Sequence, residues 1–302
     1  MPTITVLMST YNGEAYLEAQ IESILGQSVN EYQLELLVRD DGSSDSTRDI
    51  LARYAALGLL KWYSGDNLGP RDSFMNLIRT TPSTSLYYAL SDQDDVWLPG
   101  KLERAIRALT RHADNQPSLY YGRTKLVDNK LQPIGLGPVP AKGHSLKQAV
   151  LSTSCTGCTI VFNKCFLDIL KQATPPFEIM HDNWIFKLAS AFNAHMLPDN
   201  KPFILYRQHS ANVIGAHSNA LSKLLRHFQS IQKNPRYRSR SLRIMYEAYK
   251  DLLPEDNRKT LQLISYYRHG LNRFRILADR GFRVHSMKTN LLFVVSILTG
   301  TF

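Results

Sequence analysis

The chain has 302 residues, 43% hydrophobic and 21% charged, a globular composition with enough apolar material for one large domain or one domain with an appendage. Its three cysteines, Cys155, Cys158 and Cys165, are odd in number and crowd one stretch, which argues against a secreted disulfide framework; Met1-Pro2-Thr3-Ile4-Thr5 has no basic start before an apolar stretch, so no export peptide and a cytosolic chain are expected. The net charge of +10 belongs to the C-terminal portion, since residues 222–290 hold 16 Lys+Arg against 5 Asp+Glu and residues 1–221 hold 20 against 21; such basicity suits nucleic acid, anionic lipid or an acidic partner without choosing among them.

Short apolar runs alternate with amphipathic helical patterns through the first two thirds, the pattern of a mostly parallel sheet with helices on its faces. Residues 4–8 read as a buried strand and 16–25 as a helix with Leu17, Ile21, Ile24 and Leu25 on one face. A strand at 34–38, a helix at 44–54, a strand at 60–63, a helix at 72–79 and a strand at 86–90 follow, so four strands precede the acidic run Ser91-Asp92-Gln93-Asp94-Asp95. Beyond it, 101–111 is predicted helical, with Leu102, Ala105, Ile106 and Leu109 spaced for burial and Pro99 where a helix start tolerates it. Residues 119–122 read as a strand. Residues 131–145, with three prolines and three glycines, read as a loop over the site. Strands at 157–162 and 203–207 enclose a helix at 182–192. From residue 220 the pattern turns to long helices rich in Arg, Lys and Tyr, ending in the apolar run 291–298, far short of the roughly 20 residues a bilayer span needs. The expected organisation is a catalytic domain over 1–219 and a basic helical region with a short apolar tail over 220–302.

Ligands of open α/β sheets bind at the carboxyl ends of strands, and the polar residues of this chain gather there. Ser9-Thr10-Tyr11-Asn12-Gly13 follows the first strand and Arg39-Asp40-Asp41-Gly42-Ser43 the second; both can hydrogen-bond a base and ribose, although Asp-Gly-Ser-Ser-Asp is also good turn and helix-cap chemistry. After the fourth strand come three carboxylates in four residues, costly to pack together unless a cation neutralises them; hard divalent ions take such oxygens along with substrate phosphates, and the plainer alternative is a solvated acidic loop. His181-Asp182-Asn183-Trp184 opens a helix, where Asp182 is either a cap or a general base for a hydroxyl acceptor. Tyr206-Arg207-Gln208-His209-Ser210-Ala211-Asn212 packs a cation, an imidazole and amides into one turn after a strand. Cys155 and Cys158 have the spacing of half a zinc site, but no second pair exists, so they are expected to be small packed residues beneath the acceptor side.

The order of these motifs resembles that of the family 2 inverting glycosyltransferases with the GT-A fold, over about residues 3–215. The spelling Ser-Asp-Gln-Asp-Asp-Val-Trp, then Thr-Gly-Cys, His-Asp-Asn-Trp and Tyr-Arg-Gln-His-x-x-Asn, resembles the bacterial rhamnosyltransferase branch, which builds surface polysaccharide or lipopolysaccharide. The resemblance implies a nucleotide-sugar donor, dTDP-rhamnose on the branch likeness, held by Thr10, Tyr11 and Asn12 and by Asp41 on the base, with Asp40 beside it. It implies that Asp92 and Asp94 form the family's Asp-x-Asp, Asp92 touching donor or metal and Asp94 holding a divalent metal, Mg2+ or Mn2+, with Asp95 in support and Asp182 as base. His181 stands where the family usually has Glu, leaving the proton acceptor Asp182 in place beside it. His209 is a candidate to complete the metal's ligands or to bind phosphate, the plainer alternative being a structural histidine. Arg71 and Arg207 are candidate clamps on phosphate, which the guanidinium fork matches in shape.

The implied reaction is a single displacement at the anomeric carbon with inversion. Its acceptor would be a saccharide or a lipid-linked oligosaccharide, met where the basic tail lies on the anionic inner face of the plasma membrane. A helical bundle packed on the catalytic domain or on a second subunit is the alternative for the tail. A nucleotidyltransferase would need a Gly-rich basic loop near the first strand, which is missing; a nucleic-acid-binding protein would not place carboxylates at strand ends, so no nucleic-acid partner is expected.

Overall fold

Four apolar runs in the first 91 residues become neighbouring parallel strands. The computed structural model describes residues 1–141, 145–173, 180–209 and 236–302, which fall into two units. In the first unit, residues 1–141, 154–173 and 194–209, β1 (Thr3–Thr10) pairs in parallel with both β2 (Gln33–Asp40) and β4 (Tyr87–Ser91), and β2 with β3 (Lys61–Ser64). Ile4, Val6, Leu7, Met8, Val38, Ala89 and Leu90 are completely buried, as befits strands covered on both faces. The crossovers α1 (Leu17–Leu25), α2 (Thr47–Ala56) and α3 (Gly69–Thr80) bury Leu17, Ile21, Ile24, Leu51, Phe74, Leu77 and Ile78. Register sets up the site: Thr10 stands opposite Asp40, Asp40 opposite Ser64, and Met8 opposite Ser91, so the polar residues ending these strands share one edge.

β6 (Ser118–Gly122), β9 (Val161–Asn163) and β10 (His195–Asp199) complete a seven-stranded sheet of order β10-β6-β9-β4-β1-β2-β3, with β9 antiparallel to both neighbours. A smaller sheet of order β5-β11-β7-β8 is made by β5 (Val96–Trp97), β7 (Lys125–Val127), β8 (Pro133–Leu136) and β11 (Ile204–Arg207). α4 (Lys101–Leu109) buries the four apolar residues its spacing predicts. The mixed α/β architecture expected from the alternation is therefore the observed one.

Local expectations change at three places. The loop expected at 131–145 contains β8, which its partner β7 orders despite Pro133 and Gly135. The strand expected at 157–162 begins only at Val161, because Gly157–Thr159 form a 3-10 turn closed by Thr159 Oγ1 donating to the Thr156 carbonyl (2.7 Å). β10 was not foreseen; as the sheet's edge strand it tolerates Pro198.

The second unit, residues 145–153, 180–193 and 236–302 among those described, holds α5 (Leu146–Leu151), α7 (His181–Ala191), α8 (Tyr237–Tyr249), α9 (Glu255–Ser265), α10 (Asn272–Ala278) and α11 (Met287–Thr299). α6 (Lys164–Leu170) belongs to the first unit. Asn257 of α9 fastens the end of α7, its amide donating to the Ala191 carbonyl (2.9 Å) and to Asn193 Oδ1 (2.9 Å). The C-terminal helices and α7 are thus built together. The expected boundary at 219/220 lies outside the described residues.

Candidate active site

Thr10, at the end of β1, is buried and donates to Gln93 Oε1 (2.5 Å), which also accepts the Tyr11 amide (2.8 Å); the Gln93 amide returns to the Tyr11 carbonyl (3.1 Å). One side chain from the acidic run therefore holds the turn after β1. Asn12 takes a positive φ of 47°, a conformation its short side chain tolerates, and its Oδ1 accepts the Ser44 amide (2.9 Å) while its own amide donates to Ser43 (2.9 Å). Gly13 is required here, because a Cβ would meet Gln93 and come within 2.9 Å of Thr10 Oγ1. Tyr11 is left 45% exposed, a free aromatic face beside these turns.

The two aspartates after β2 are both committed within the fold. Asp40 is fully buried and accepts from Ser64 (2.7 Å), Arg48 (2.9 Å) and the Ser43 amide (3.2 Å). Burial works to raise its pKa, but these hydrogen bonds outweigh that and hold the carboxyl below its ordinary value. Asp41 accepts the Leu68 and Gly69 amides (2.9 and 2.8 Å) at the start of α3 and pairs with Arg39, whose guanidinium also reaches Ser73 (2.8 Å) and the Asp66 carbonyl (2.9 Å). Arg71, almost buried on α3, pairs with Asp72. Of the turn and cap chemistry weighed for this segment, the turn bonds are present, the Ser43 amide donating to Asp40 and the Thr47 amide to Asp45, while Ser46 at the start of α2 makes no side-chain cap.

At the end of β4 the acidic run divides by burial. Asp94 Oδ2 lies 2.7 Å from His209 Nε2, and the His209 ring stacks on Tyr16 (centroids 5.2 Å apart). Arg207 lies over the other partner of that stack, 4.4 Å from the Tyr16 centroid, and donates to the Asp94 carbonyl (2.8 Å) and the Asn129 carbonyl (2.6 Å). Asp95 is completely buried; its Oδ1 accepts the Arg207 amide (3.2 Å), and the Cys158 thiol is among its carboxyl's neighbours. Burial, and then the charges of Asp92 and Asp94, push the Asp95 carboxyl well above the usual range. One ligand atom each from Asp92, Asp95 and Cys158 lie within 4.8 Å of one another. Cys158 is buried as expected, with the acidic run for neighbours, whereas Cys155, expected to be buried with it, is partly exposed. Below them Lys101 is buried with its ammonium 3.5 Å from the Trp97 ring centroid; burial lowers its pKa to about 7, against the opposing pull of Cys158 and Asp95.

The structure therefore gathers Thr10, Tyr11, Asn12, Asp92, Asp94, Arg207 and His209 from the ends of β1, β4 and β11 in one unit. Asp92, Asp95 and Cys158 offer one group of ligand atoms and Asp94 with His209 another; the carboxylates and the imidazole are donor types that Mg2+ or Mn2+ takes, whereas the buried Cys158 thiol is not. Asp182 belongs to the second unit, in the first turn of α7, where its Oδ1 accepts the Asn183 amide (2.6 Å). His181 beside it is buried, and burial lowers its pKa against the opposing Asp182 charge. Gln93, Tyr16 and Lys101 are the residues sequence reasoning passed over. Only Gln93 carried a signal, its place inside the acidic run.

The profile of the family described as "Glycosyl transferase family 2" matches residues 5–170. The dTDP-rhamnosyl transferase RfbG of Shigella flexneri is 29% identical over 240 residues, 72% of this chain and 77% of that protein. The UDP-Glc:alpha-D-GlcNAc-diphosphoundecaprenol beta-1,3-glucosyltransferase WfgD of Escherichia coli is 28% identical over 169 residues, 55% of this chain and 62% of its own. In fold, the chain is similar to the crystal structure of S. aureus TarS 1-349 in complex with UDP-GlcNAc, with a TM-score of 0.58 at 14% identity, covering 100% of this chain and 93% of that one.

Proposed function

The chain belongs to glycosyl transferase family 2, and from that premise we propose that it moves L-rhamnose from dTDP-rhamnose to a saccharide acceptor in the assembly of bacterial surface polysaccharide or lipopolysaccharide. The observation that carries the reading is the convergence of the β1, β4 and β11 ends on Asp92-Gln93-Asp94-Asp95, with Gln93 and Arg207 bracing the run from either side. The choice of rhamnose is supported by similarity to the dTDP-rhamnosyl transferase of S. flexneri.

Thr10, Tyr11 and Asn12 bind the nucleotide, Asp41 and Asp40 shape its base pocket, and Asp92 contacts the donor. Arg71 and Arg207 add positive charge toward the diphosphate. Asp94 and His209 would hold the Mg2+ or Mn2+ that family 2 enzymes generally use, which when bound offsets the charge of the leaving diphosphate. Asp182 takes the proton of the acceptor hydroxyl as its oxygen bonds to the anomeric carbon and the bond to the diphosphate oxygen breaks, inverting the centre. Arg207 is held by two backbone carbonyls and the Tyr16 ring, so it positions the run as well as charging it.

Among the described residues no helix is long and apolar enough to cross a membrane. The basic C-terminal region supports a peripheral place on the anionic inner face of the plasma membrane, where a lipid-linked oligosaccharide acceptor would be met. The test is a panel of sugar nucleotides with wild type and Asp182→Asn. Release of dTDP only from dTDP-rhamnose, and loss of transfer in the variant by at least about 100-fold with donor binding kept, are expected. Turnover of another donor alone would overturn the rhamnose assignment, and near-wild-type transfer by the variant would overturn the base.

A further inference from the structure

α11 runs from Met287 to Thr299 with one face buried and the other bare. Met287, Leu291, Val295 and Leu298 are 86, 65, 47 and 55% exposed, whereas Phe293 and Ile297 are 1 and 0% exposed. At about 100° per residue, Leu298, Leu291 and Val295 lie roughly 20°, 40° and 80° around the axis from Met287, and Phe293 and Ile297 roughly 240° and 280°. The exposed four form one stripe, the buried two its opposite.

The buried face is fully accounted for within its own unit. Phe293 stacks on Phe282 (centroids 5.8 Å apart) and meets Phe302 edge-on (5.3 Å), and Ser286 caps the helix start by accepting the Thr289 amide (3.2 Å). α10 lies alongside, with Arg273 reaching the Leu298 carbonyl (3.4 Å). Among the described residues, the packing of this helix leaves the Met-Leu-Val-Leu stripe exposed. Isolated apolar side chains on a surface are ordinary, but four on one stripe mark a contact surface.

Charge chooses the occupant. Residues 266–302 contain six Lys+Arg, Arg268, Arg273, Arg275, Arg280, Arg283 and Lys288, against one acid, Asp279, and Asp279 is already paired with Lys147 (2.7 Å). In a two-fold contact the same patch faces itself, so a second copy would bring these cations against their own kind. An anionic lipid surface neutralises them and takes the apolar stripe into its headgroup layer.

We propose that α11 lies in the plane of an anionic membrane, with Met287, Leu291, Val295 and Leu298 inserted at the acyl boundary and the Lys and Arg excess of residues 266–302 drawing the segment to the headgroups. The inference rests on the peripheral-membrane part of the proposed function and is independent of the donor assignment.

The experiment is vesicle flotation of the full chain with phosphatidylglycerol/phosphatidylcholine vesicles and with phosphatidylcholine alone, for wild type and Leu291→Glu/Val295→Glu. Both positions are exposed, and matched thermal unfolding of the two proteins confirms that the variant folds. Wild type is expected to float with the anionic vesicles, less so at high salt, and the variant to bind them about 10-fold or more weakly. Nucleotide binding by the variant stays at the wild-type level, which separates failure of the membrane surface from failure of the enzyme assignment. Equal flotation of variant and wild type, no flotation of wild type, or a wild-type dimer that the variant splits would each overturn the inference, the last assigning the stripe to a second copy.

Discussion

Replacing Asp41 by Asn tests whether the Asp-Asp turn after β2 is built for stability as well as for nucleotide. The carboxylate and its partner Arg39 are each only 3% exposed in their side chains, so the change strands a buried guanidinium. Removing one partner of such a pair costs about 3–5 kcal/mol. Arg39 keeps Ser73 and the Asp66 carbonyl, and the Asn oxygen can still accept one of the Leu68 and Gly69 amides, which places the loss near the lower end, about 3 kcal/mol. For a unit of this size each kcal/mol moves Tm by about 2–4 °C, so a fall of roughly 6–12 °C is expected. Thermal and urea unfolding of Asp41→Asn, Arg39→Met and the double variant measure it, with the double variant expected to lose less than the sum of the singles. Calorimetric titration of the folded variants with the nucleoside diphosphate then reports the binding role by itself. A Tm within 2 °C of wild type, or strictly additive losses, would refute the reading of this pair as part of the fold's support.

Gly13→Ala would push a Cβ into Gln93 and Thr10 Oγ1 and so open the turn after β1; a cost of about 1–3 kcal/mol in unfolding and a clear loss of nucleotide affinity by titration are expected. His209→Ala should leave folding intact and raise the divalent-ion concentration for half-maximal transfer by about 10-fold, read from metal titrations after chelation, with wild-type activity abolished by the chelator and restored by Mn2+. Lys187 on α7 is buried, and burial, reinforced by Arg238 and opposed by Asp182, lowers its pKa to about 7 from 10.5. The unfolded chain therefore holds its proton between those values and the folded one does not, so wild type gains stability relative to Lys187→Met as pH rises from about 7 to 10. Urea midpoints across pH 6–10 that run parallel for the two proteins would contradict this.

The strands that build the sheet centre were legible because a strand covered on both faces carries an apolar run, as residues 6–8 of β1, 36–38 of β2 and 87–90 of β4 do, and the polar turn that follows each is equally plain. β8 and β10, and the true start of β9, were not, for reasons of the same kind. β9 is three residues long and owes its place to β4 and β6, β8 is fully exposed and owes its place to β7, and β10 carries a proline that only an edge permits. Local propensity says little where pairing with distant residues supplies the stabilisation.

The acidic run shows the same division at the level of single side chains. Three carboxylates following a buried strand, in order with three other polar turns, were enough to mark the run as a candidate centre, because composition and spacing determine which groups can be present at a strand end. Which of those groups face outward was settled by tertiary contacts alone. Gln93 reaches back 83 residues to Thr10, Arg207 and His209 come from more than 110 residues downstream to brace the Asp94 carbonyl and side chain, and Asp95 turns inward onto Cys158. Asp40 and Asp41 read in sequence as ligands for a nucleotide, and in three dimensions they are first of all the acceptors for Ser64, Arg48, Arg39 and the start of α3. A carboxylate's chemistry is written in its residue type, but the donors that satisfy it are chosen by which segments the packed core brings within about 3 Å.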